Sequence, residues 1–600
     1  MNSYLSKINY RYKVWAQDFL VFSLSLFAII FRVHSQLIYE FQRPIFFTYW
    51  DFLKQHLSIS GGLVDYISAF LGQILEYPLI GALFLSAILL GIAFFTKKIT
   101  NILWKTQIHT IHWIPGIFLL FLYAYYQTPL SLGIATLIVL IFTWLFIKWN
   151  LKSQLVKIGI YTILSGVSFW ICGGAFLIFT IFCAIWEWIN FKSKRSLFYL
   201  LISGLFCIIG SFFSLTSFRQ ACLHHLPIEG SYPPLFARLG FLLIFPLIGG
   251  FAFFASLLDK IRNKFRKIKD LIWVGGTISI LFTLFLKIWI GFNSSLTKRL
   301  MVFRASRKMD WESTLRIGKK LTSINPHLTI QINRALYYKG HLLDSAFAYP
   351  QWFGPIGLLP NRELCFENPE VACELFFELG LISESLHWAN ESMEVSGQTP
   401  EILDRIGLIY LLKGEKETAK MFWRKLKYTI KSRTRAKFLL GLAEEKDLFE
   451  KDRTLKEFQS LIPENDFISI AEPSERELLI LLQQNPKNRM AFEYLVAYEL
   501  LRGNLRVIWE NINKFKTFGY NRIPRHIQEA VVLYAFLSKW RQIDPLKPYV
   551  NSYIFQRFSK FQSLLLQAQL DKTSLNELKE ELGDTYWYYW FIKFIGEKKK

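Results

Sequence analysis

Long apolar runs occupy only the first half of this 600-residue chain, and they constrain its fold more than any other feature. Residues 1–293 hold 9 Asp and Glu against 24 Lys and Arg, whereas residues 294–600 hold 37 and 46. A bilayer span needs roughly 17–25 mostly apolar residues. The first half therefore predicts an all-α polytopic transmembrane bundle, and the second half predicts a water-soluble domain.

Hydropathy predicts about nine spans in residues 1–293. Short clusters of Lys and Arg follow every second span, the longest being DKIRNKFRKIKD at 259–270. Because cytoplasmic loops carry an excess of Lys and Arg, we expect a cytoplasmic N-terminus, and an odd number of spans delivers the second half to the opposite side. The predicted spans are 17–35, 77–96, 112–127, 129–148, 155–172, 174–191, 196–216, 235–258 and 271–292.

The formal net charge of +24 would also suit a protein that binds nucleic acid, since Lys and Arg release counterions from phosphates. In the first half, however, the basic residues stand in short clusters between apolar runs, and the chain has no nucleic-acid recognition motif. We therefore expect membrane lipid around the chain and no nucleic-acid partner.

The predicted outer loops 36–76 and 217–234 are longer than simple connectors. In loop 36–76, apolar residues recur at helical spacing between Gly62 and Pro78, which predicts an amphipathic helix along the membrane surface. Ionisable groups held near lipid are costly and are therefore functional candidates, although a single one is more commonly a solvated or headgroup-facing side chain. In and just after loop 217–234 these candidates are Arg219, His224, His225 and Arg238.

An internal repeat is present in residues 294–600. In PEILDRIGLIYLLKGEKETAKMFWRKLKY, 400–428, small residues such as Gly407 and large ones such as Trp423 fall where a tetratricopeptide (TPR) unit places its packing residues, and a weaker copy precedes it by 34 residues. One helix pair cannot bury its apolar face alone, so we predict a stacked TPR-like α-solenoid. An irregular all-helical domain is the alternative.

Cys365 and Cys373 lie in the predicted soluble half. In an extracytoplasmic domain they would either form a disulfide or remain two thiols, and their spacing does not decide between these alternatives. No Cys/His spacing typical of a zinc site occurs in the chain.

The order of parts resembles the GT-C class of membrane glycosyltransferases: an inside N-terminus, a first outer loop with a surface helix and acidic residues, further spans and an external C-terminal domain. With external TPR repeats, it is similar to the TMTC-type protein O-mannosyltransferases. The blocks YPQWFGPIGLLP and GGLVDY also resemble those of a family of bacterial multi-pass inner-membrane proteins without an assigned activity. The resemblance implies a bacterial inner-membrane protein with a periplasmic C-terminal domain, which transfers a sugar or oligosaccharide from a polyprenyl-phosphate-linked donor to an extracytoplasmic protein or envelope glycan.

In the GT-C class an acidic residue of the first outer loop acts as the base, or orients a metal ion, while the acceptor attacks the sugar. Loop 36–76 offers Glu40, Asp51 and Asp65, and Asp51 is the preferred base because it lies beside two aromatic residues shortly after the first span. The leaving phosphate needs cationic stabilisation. The candidates for that role are Arg43, Arg219, His224, His225 and Arg238.

No metal ligand is assigned from the sequence. His224 and His225 lack a third ligand at metal-binding spacing. A divalent metal ion is therefore implied only by the resemblance to the GT-C class.

Two other classes of function stay open, because the chain has no P-loop, GxSxG, HExxH, GxGxxG or paired-Cys motif. A non-enzymatic scaffold would use a TPR groove to bind extracytoplasmic proteins or peptides during envelope assembly. A lipid or polysaccharide transporter would need charges inside the spans, for which Glu187 is the acidic candidate.

Overall fold

The described chain is helical throughout, which confirms the all-α class. It divides into two compact units, Met1–Asn293 (the N-terminal unit) and Ser294–Lys600 (the C-terminal unit). The computed structural model describes residues 2–104, 111–149, 153–191, 196–213, 217–228, 233–259, 279, 282–283, 286, 294–321, 323–445, 449, 452–463, 475–539, 544–568 and 572–596.

The N-terminal unit is built from long apolar helices joined by short helical connectors. Single turns of 3₁₀ or π-helix lie at Ile29–Val33, Gln73–Glu76, Ile111–Trp113 and Gly173–Ala175. The α-helices are α1 Asn2–Ala28, α2 Ser35–Gln42, α3 Trp50–Leu57, α4 Gly62–Gly72, α5 Pro78–Trp104, α6 Ile114–Tyr123, α7 Leu130–Trp149, α8 Gln154–Cys172, α9 Phe176–Phe191, α10 Ser196–Phe213, α11 Phe218–Leu223 and α12 Leu235–Asp259.

The described helices are compatible with a membrane protein, but they do not confirm nine spans. The predicted span 112–127 corresponds to a shorter apolar helix, Ile111–Tyr123, the predicted span 235–258 falls within α12, and the predicted span 271–292 lies outside the continuously described residues. Five segments are long and apolar enough to cross a bilayer: Trp15–Val33, Pro78–Trp104, Leu130–Trp149, Gln154–Phe191 and Ser196–Phe213.

The segment Gln154–Phe191 is a helical hairpin. Gly173 adopts a φ of 57° and ends α8, a backbone conformation that glycine takes up without steric cost. Lys157 near the start of α8 then meets Glu187 near the end of α9, with 3.2 Å between Nζ and Oε2. Both side chains are buried, so this ion pair links the two helices at the end opposite Gly173.

Connecting segments of the N-terminal unit meet in two sets. In one set, the Gln42 amide donates to the carbonyls of Tyr126 and Thr128, at 3.1 and 2.6 Å. In the other, Asp18 accepts from Lys97 at 2.7 Å and Trp113 at 2.8 Å. The first set joins segments that the charge pattern predicts on the outer side, and the second joins helix ends predicted on the inner side.

The helix predicted between Gly62 and Pro78 is confirmed as α4, followed by the turn Gln73–Glu76. Its buried side is made largely of small residues and Val64, whereas Phe70 of the predicted apolar face is 47% exposed. The small buried residues allow α4 to pack closely on the rest of the unit.

The C-terminal unit consists mainly of short α-helices. Further single turns lie at Ala346–Ala348, Gly354–Gly357, Asp544–Leu546 and Phe591–Gly596. The α-helices are Ser294–Arg307, Trp311–Gly318, Pro326–Tyr338, Leu342–Ser345, Arg362–Glu367, Pro369–Leu379, Ile382–Ser396, Pro400–Leu412, Lys416–Leu426, Arg433–Glu444, Arg453–Leu461, Glu475–Gln484, Arg489–Arg502, Leu505–Glu510, Lys514–Thr517, Arg525–Leu537, Ser552–Ala568, Lys572–Leu582 and Tyr586–Trp590.

Glycines with positive φ separate several helix pairs of this unit. Gly380 and Gly414, 34 residues apart, have φ of 93° and 85°, and each lies between two consecutive helices of the predicted repeat. A Cβ on Gly407 would lie 2.2 Å from the indole nitrogen of Trp423, so glycine is required where these two helices touch. These helix pairs agree with the repeated pattern, while the assignment to TPR repeats and to a solenoid stays a prediction.

Cys365 and Cys373 are buried free thiols, so the disulfide alternative is wrong for this structure. The Cys365 thiol lies 3.8 Å from the carbonyl oxygen of Pro360. The Cys373 sulfur lies 3.5 Å from the Ser385 hydroxyl. Each thiol therefore has a different polar neighbour.

The C-terminal unit is expected to lose stability in acid through Asp584. Burial alone would raise the pKa of this carboxyl, but hydrogen bonds and charge from Arg525 and Arg557 outweigh burial and lower it. Because the folded pKa lies below the unfolded one, the stabilisation is complete above about pH 4 and is lost as the pH falls through the folded value. Hydrogen exchange of helix Arg525–Leu537 should therefore accelerate in acid, after correction for intrinsic rates.

The control for this prediction is Asp584→Asn in the full-length chain, which cannot titrate at that position. At neutral pH, helix Arg525–Leu537 of this variant should be less protected from hydrogen exchange than in the wild type. Acid should then change its exchange rate less than it changes the rate of the wild type. Parallel acid dependence in the two proteins would contradict the assignment to Asp584.

Candidate functional site

Asp65, His224 and His225 form a polar cluster in the N-terminal unit. Asp65 Oδ2 lies 2.7 Å from His224 Nε2, and Asp65 Oδ1 lies 2.8 Å from His225 Nε2. The side chains of His224 and Asp65 are 26% and 34% exposed, whereas that of His225 is 2% exposed. One carboxylate therefore bridges two imidazoles, with one side of the cluster accessible.

Local backbone geometry brings Asp65 to this position. Gly61, with a φ of 84°, precedes α4, and its N–H donates to the carbonyl of Trp170 at 2.8 Å. This bond fixes the start of α4 against the end of α8, and Asp65 follows in the first turn of α4. The histidines follow the short helix α11, and His225 itself has a φ of 62°.

Two glycine pairs leave the space that the imidazoles occupy. A Cβ on Gly61 would lie 2.6 Å from His224 Cδ2 and 2.9 Å from His225 Cε1. On the other side, a Cβ on Gly174 would lie 2.1 Å from the carbonyl oxygen of Cys222, just before the histidines. The GG doublets at 61–62 and 173–174 therefore allow three distant segments to meet at the cluster.

Gly61→Ala is expected to destabilise the N-terminal unit by about 2 kcal/mol or more, because the left-handed backbone alone costs about 1–2 kcal/mol for an L residue and the methyl group also clashes with both rings. Thermal unfolding of the full chain in detergent measures this effect. Gly159→Ala is the matched control, since no heavy atom lies within 4 Å of its added Cβ. Equal midpoints for the two variants would contradict the expectation.

The electrostatics of the cluster keep Asp65 ionised. Burial alone would raise the pKa of the Asp65 carboxyl, but hydrogen bonds and charge from His224 and His225 outweigh burial and hold that pKa well below its usual range. His225 Nδ1 lies 3.1 Å from the carbonyl oxygen of Cys172, which can only accept a hydrogen bond. Both nitrogens of His225 therefore face acceptor oxygens.

The three side chains also form a group whose ligand atoms could hold a metal ion. One ligand atom from each of the three residues lies within 4.8 Å of the other two. Two imidazoles and a carboxylate are ligands that Zn²⁺ and other first-row transition ions accept.

A comparison of the sequence with protein-family models finds a match over nearly the whole chain. The model of a family of unknown function, DUF6057, matches residues 10–593. The chain belongs to DUF6057. No curated protein and no solved structure matches it. Membership in DUF6057 assigns no activity, and the likeness to the GT-C class and to TMTC-type enzymes stays a prediction.

The other acidic candidates of this DUF6057 chain lie outside the cluster. Asp51 is exposed in the first turn of α3. Burial raises the pKa of the neighbouring Tyr49, and the charge of Asp51 raises it further. Glu40 is buried in α2. Among the three acidic candidates of the loop, Asp65 alone contacts the two histidines, and the geometry favours it over Asp51.

The three arginine candidates take different positions. Arg43 follows α2 with a φ of 41°, and its backbone N–H donates to the carbonyl of Tyr39. Arg219 is exposed on α11, five residues before His224. Arg238 is buried in α12 and donates from Nη1 to the carbonyl of Ile228 at 2.7 Å, which ties that helix to the segment carrying the histidines.

Sequence reasoning missed the backbone groups that complete the cluster. The Cys172 carbonyl orients His225, and the Trp170 carbonyl holds Gly61. The signal available in the sequence was two of its four GG doublets, 61–62 in the first long loop and 173–174 between two apolar runs. Paired glycines at helix ends indicate close backbone approach.

Proposed function

We propose that this chain is a membrane glycosyltransferase that moves a sugar or oligosaccharide from a polyprenyl-phosphate-linked donor to an extracytoplasmic acceptor. The observation that carries the proposal is the contact of Asp65, an acidic residue of the first long loop, with His224 and His225 of a loop about 160 residues later. This pairing brings a carboxylate and two imidazoles together in a unit built mainly of apolar helices.

In the proposed reaction the acceptor hydroxyl attacks the anomeric carbon of the donor. The new C–O bond forms as the bond from that carbon to the phosphate oxygen breaks, and the phosphate leaves with the electron pair. His224 takes the acceptor proton, because its ring is partly exposed and its Nε2 is held by Asp65. Asp65 orients that imidazole, in the way a carboxylate orients the histidine of a hydrolase triad.

The leaving phosphate gains negative charge and needs cationic neighbours. His225 is bonded to the Asp65 carboxylate, and Arg219 is exposed five residues before His224. Arg219 is therefore the candidate that a lipid phosphate reaches from outside the cluster. Arg238 contributes by holding the loop through Ile228.

The proposed orientation puts this centre on the periplasmic side of a bacterial inner membrane, with a cytoplasmic N-terminus. The alternation of Lys-rich connectors supports it. The contact of Gly61 with Trp170, and of Gln42 with Tyr126, supports a single outer set of connectors. In this proposal the C-terminal unit is periplasmic and binds the acceptor or a partner protein through its helical pairs.

The test compares cells that lack the chain with cells that carry the wild type, Asp65→Asn or Asp51→Asn. Mass spectrometry measures the polyprenyl-linked glycan and the glycans on envelope proteins. We expect the donor to accumulate without the chain and with Asp65→Asn, and to be consumed with the wild type and Asp51→Asn. Equal amounts of polyprenyl-linked glycan and of envelope-protein glycans in every strain would contradict the proposed transferase function.

A scaffold is the second candidate, favoured by the helix pairs that meet at Gly380 and Gly414 in the C-terminal unit. A scaffold predicts that cells lacking the chain lose the binding of a partner protein and do not accumulate the polyprenyl-linked donor. A transporter has less support, because Glu187 is already paired with Lys157.

A further inference from the structure

Both nitrogens of His225 face oxygen atoms at hydrogen-bonding distance. With a proton on Nδ1, which faces the Cys172 carbonyl at 3.1 Å, the neutral ring presents a lone pair at Nε2. That lone pair points at a carboxylate oxygen of Asp65 2.8 Å away. Two acceptors at this distance repel each other unless a proton or a metal ion lies between them.

The two imidazoles and the carboxylate converge on one point. The ring centroids of His224 and His225 lie 4.0 Å apart, and Nε2 of each ring faces a different oxygen of Asp65. A single divalent ion would bond Nε2 of both rings and the carboxylate at once, and a water molecule at its open position would then take the acceptor proton in place of His224. The Cys172 carbonyl then acts as the outer partner that a metal-bound histidine commonly has on its other nitrogen.

We infer that Asp65, His224 and His225 bind a divalent transition-metal ion, with Zn²⁺ as the ion that the ligand set fits best. The three ligands come from two segments held together by the Gly61 and Gly173–Gly174 contacts. Two imidazoles and one carboxylate are the ligand set of several catalytic zinc sites, which keep a fourth position open.

The present distances need a small adjustment to admit the ion. Zinc bonds of about 2.0–2.1 Å at tetrahedral angles separate the ligand atoms by about 3.3 Å. The Asp65 oxygens lie 2.7 and 2.8 Å from the histidine nitrogens. His224 is partly exposed, so rotation of its side chain can supply the extra half ångström or so.

The open position would face the accessible side of the cluster, where His224 and Asp65 are exposed and His225 is not. A phosphate oxygen of the lipid donor or a water molecule is the ligand that this position takes. This role rests on the proposed transferase function, whereas binding of the ion itself is measured without any transfer assay.

The experiment uses the full-length chain in detergent, stripped with a chelator and titrated with Zn²⁺ and with Co²⁺, whose absorption reports its ligands. We expect one tight equivalent per chain. Asp65→Asn and His225→Gln should weaken binding by more than the roughly 10–100-fold that loss of an outer partner costs. The matched controls Asp51→Asn and His56→Gln, in the same loop, should bind as the wild type does. Size-exclusion profiles check folding, and the partly exposed His224→Gln replaces any variant that fails to fold.

Wild-type affinity no greater than that of Asp65→Asn would overturn the metal site and leave a proton-bridged ion pair. Tight Zn²⁺ binding without any glycosyl transfer would keep the metal site and remove the proposed function. Glycosyl transfer that depends on Asp65 but is not accompanied by Zn²⁺ binding would keep the proposed function and remove the metal site.

Discussion

We expect Asp65→Asn to lower the rate of glycosyl transfer by about 10²–10⁴-fold, which is the range that a positioned acid–base group contributes. The amide keeps the shape of the carboxylate but loses its charge, and its NH₂ group donates where Asp65 accepts from His224. The imidazole is then held with its proton on the wrong nitrogen. The measurement is a single-turnover assay with purified full-length protein and a polyprenyl-phosphate-linked sugar.

Asp51→Asn is the control for this prediction. It makes the same chemical change in the same loop, but at an exposed residue outside the cluster. Its rate should stay within a few-fold of the wild type. A large loss in Asp51→Asn together with a normal rate in Asp65→Asn would return the preference to Asp51 and reject the role assigned to His224.

Glu378→Gln is expected to destabilise the C-terminal unit by about 3–5 kcal/mol, since removal of one partner leaves a buried charge without compensation. Arg334 and Glu378 are 5% and 3% exposed and form two hydrogen bonds, one of them 2.8 Å from Nε to Oε2. Arg334 also donates to the amide oxygen of Gln331 at 2.7 Å. That oxygen cannot replace a carboxylate, and the nearby Glu374 carboxylate is already bonded to Arg405, so the guanidinium would stay buried without a carboxylate of its own.

Urea unfolding of the full chain measures this effect, with alkylation of the buried thiols Cys365 and Cys373 as a readout specific to the C-terminal unit. Glu510→Gln is the control, because its pair with Arg506 is largely exposed and surface pairs contribute little. The double variant Arg334→Met with Glu378→Leu should recover most of the loss. Equal midpoints for Glu378→Gln and Glu510→Gln would contradict the argument.

Hydropathy predicted much of the N-terminal unit because long apolar helices can be recognised from the length and composition of the segment. The predicted boundary between 155–172 and 174–191 coincides with the break at Gly173, where a doublet of glycines ends α8. The predicted span 235–258 matches α12, whereas the predicted span 112–127 ends four residues beyond the apolar helix Ile111–Tyr123. Helix ends depend on local packing and turns, which hydropathy does not read.

The candidate site was predicted only in part. Its residue types and both of its loops could be read from the sequence, but the choice of Asp65 over Asp51 depends on where α4 lies. The third metal ligand was missed because Asp65 stands 159 residues before His224. Spacing rules find ligands that one local segment supplies, whereas this group forms only when two segments pack together.

The ion pair between Lys157 and Glu187 has a consequence for biosynthesis. Helix α8 entering the lipid alone would bring an ammonium group without its carboxylate, and α9 alone would bring the reverse. We expect the two helices to enter the membrane together as a hairpin, with the turn at Gly173 leading. A shift of one helix past the other by one turn would separate two buried charges, so the pair also fixes the register of α8 against α9.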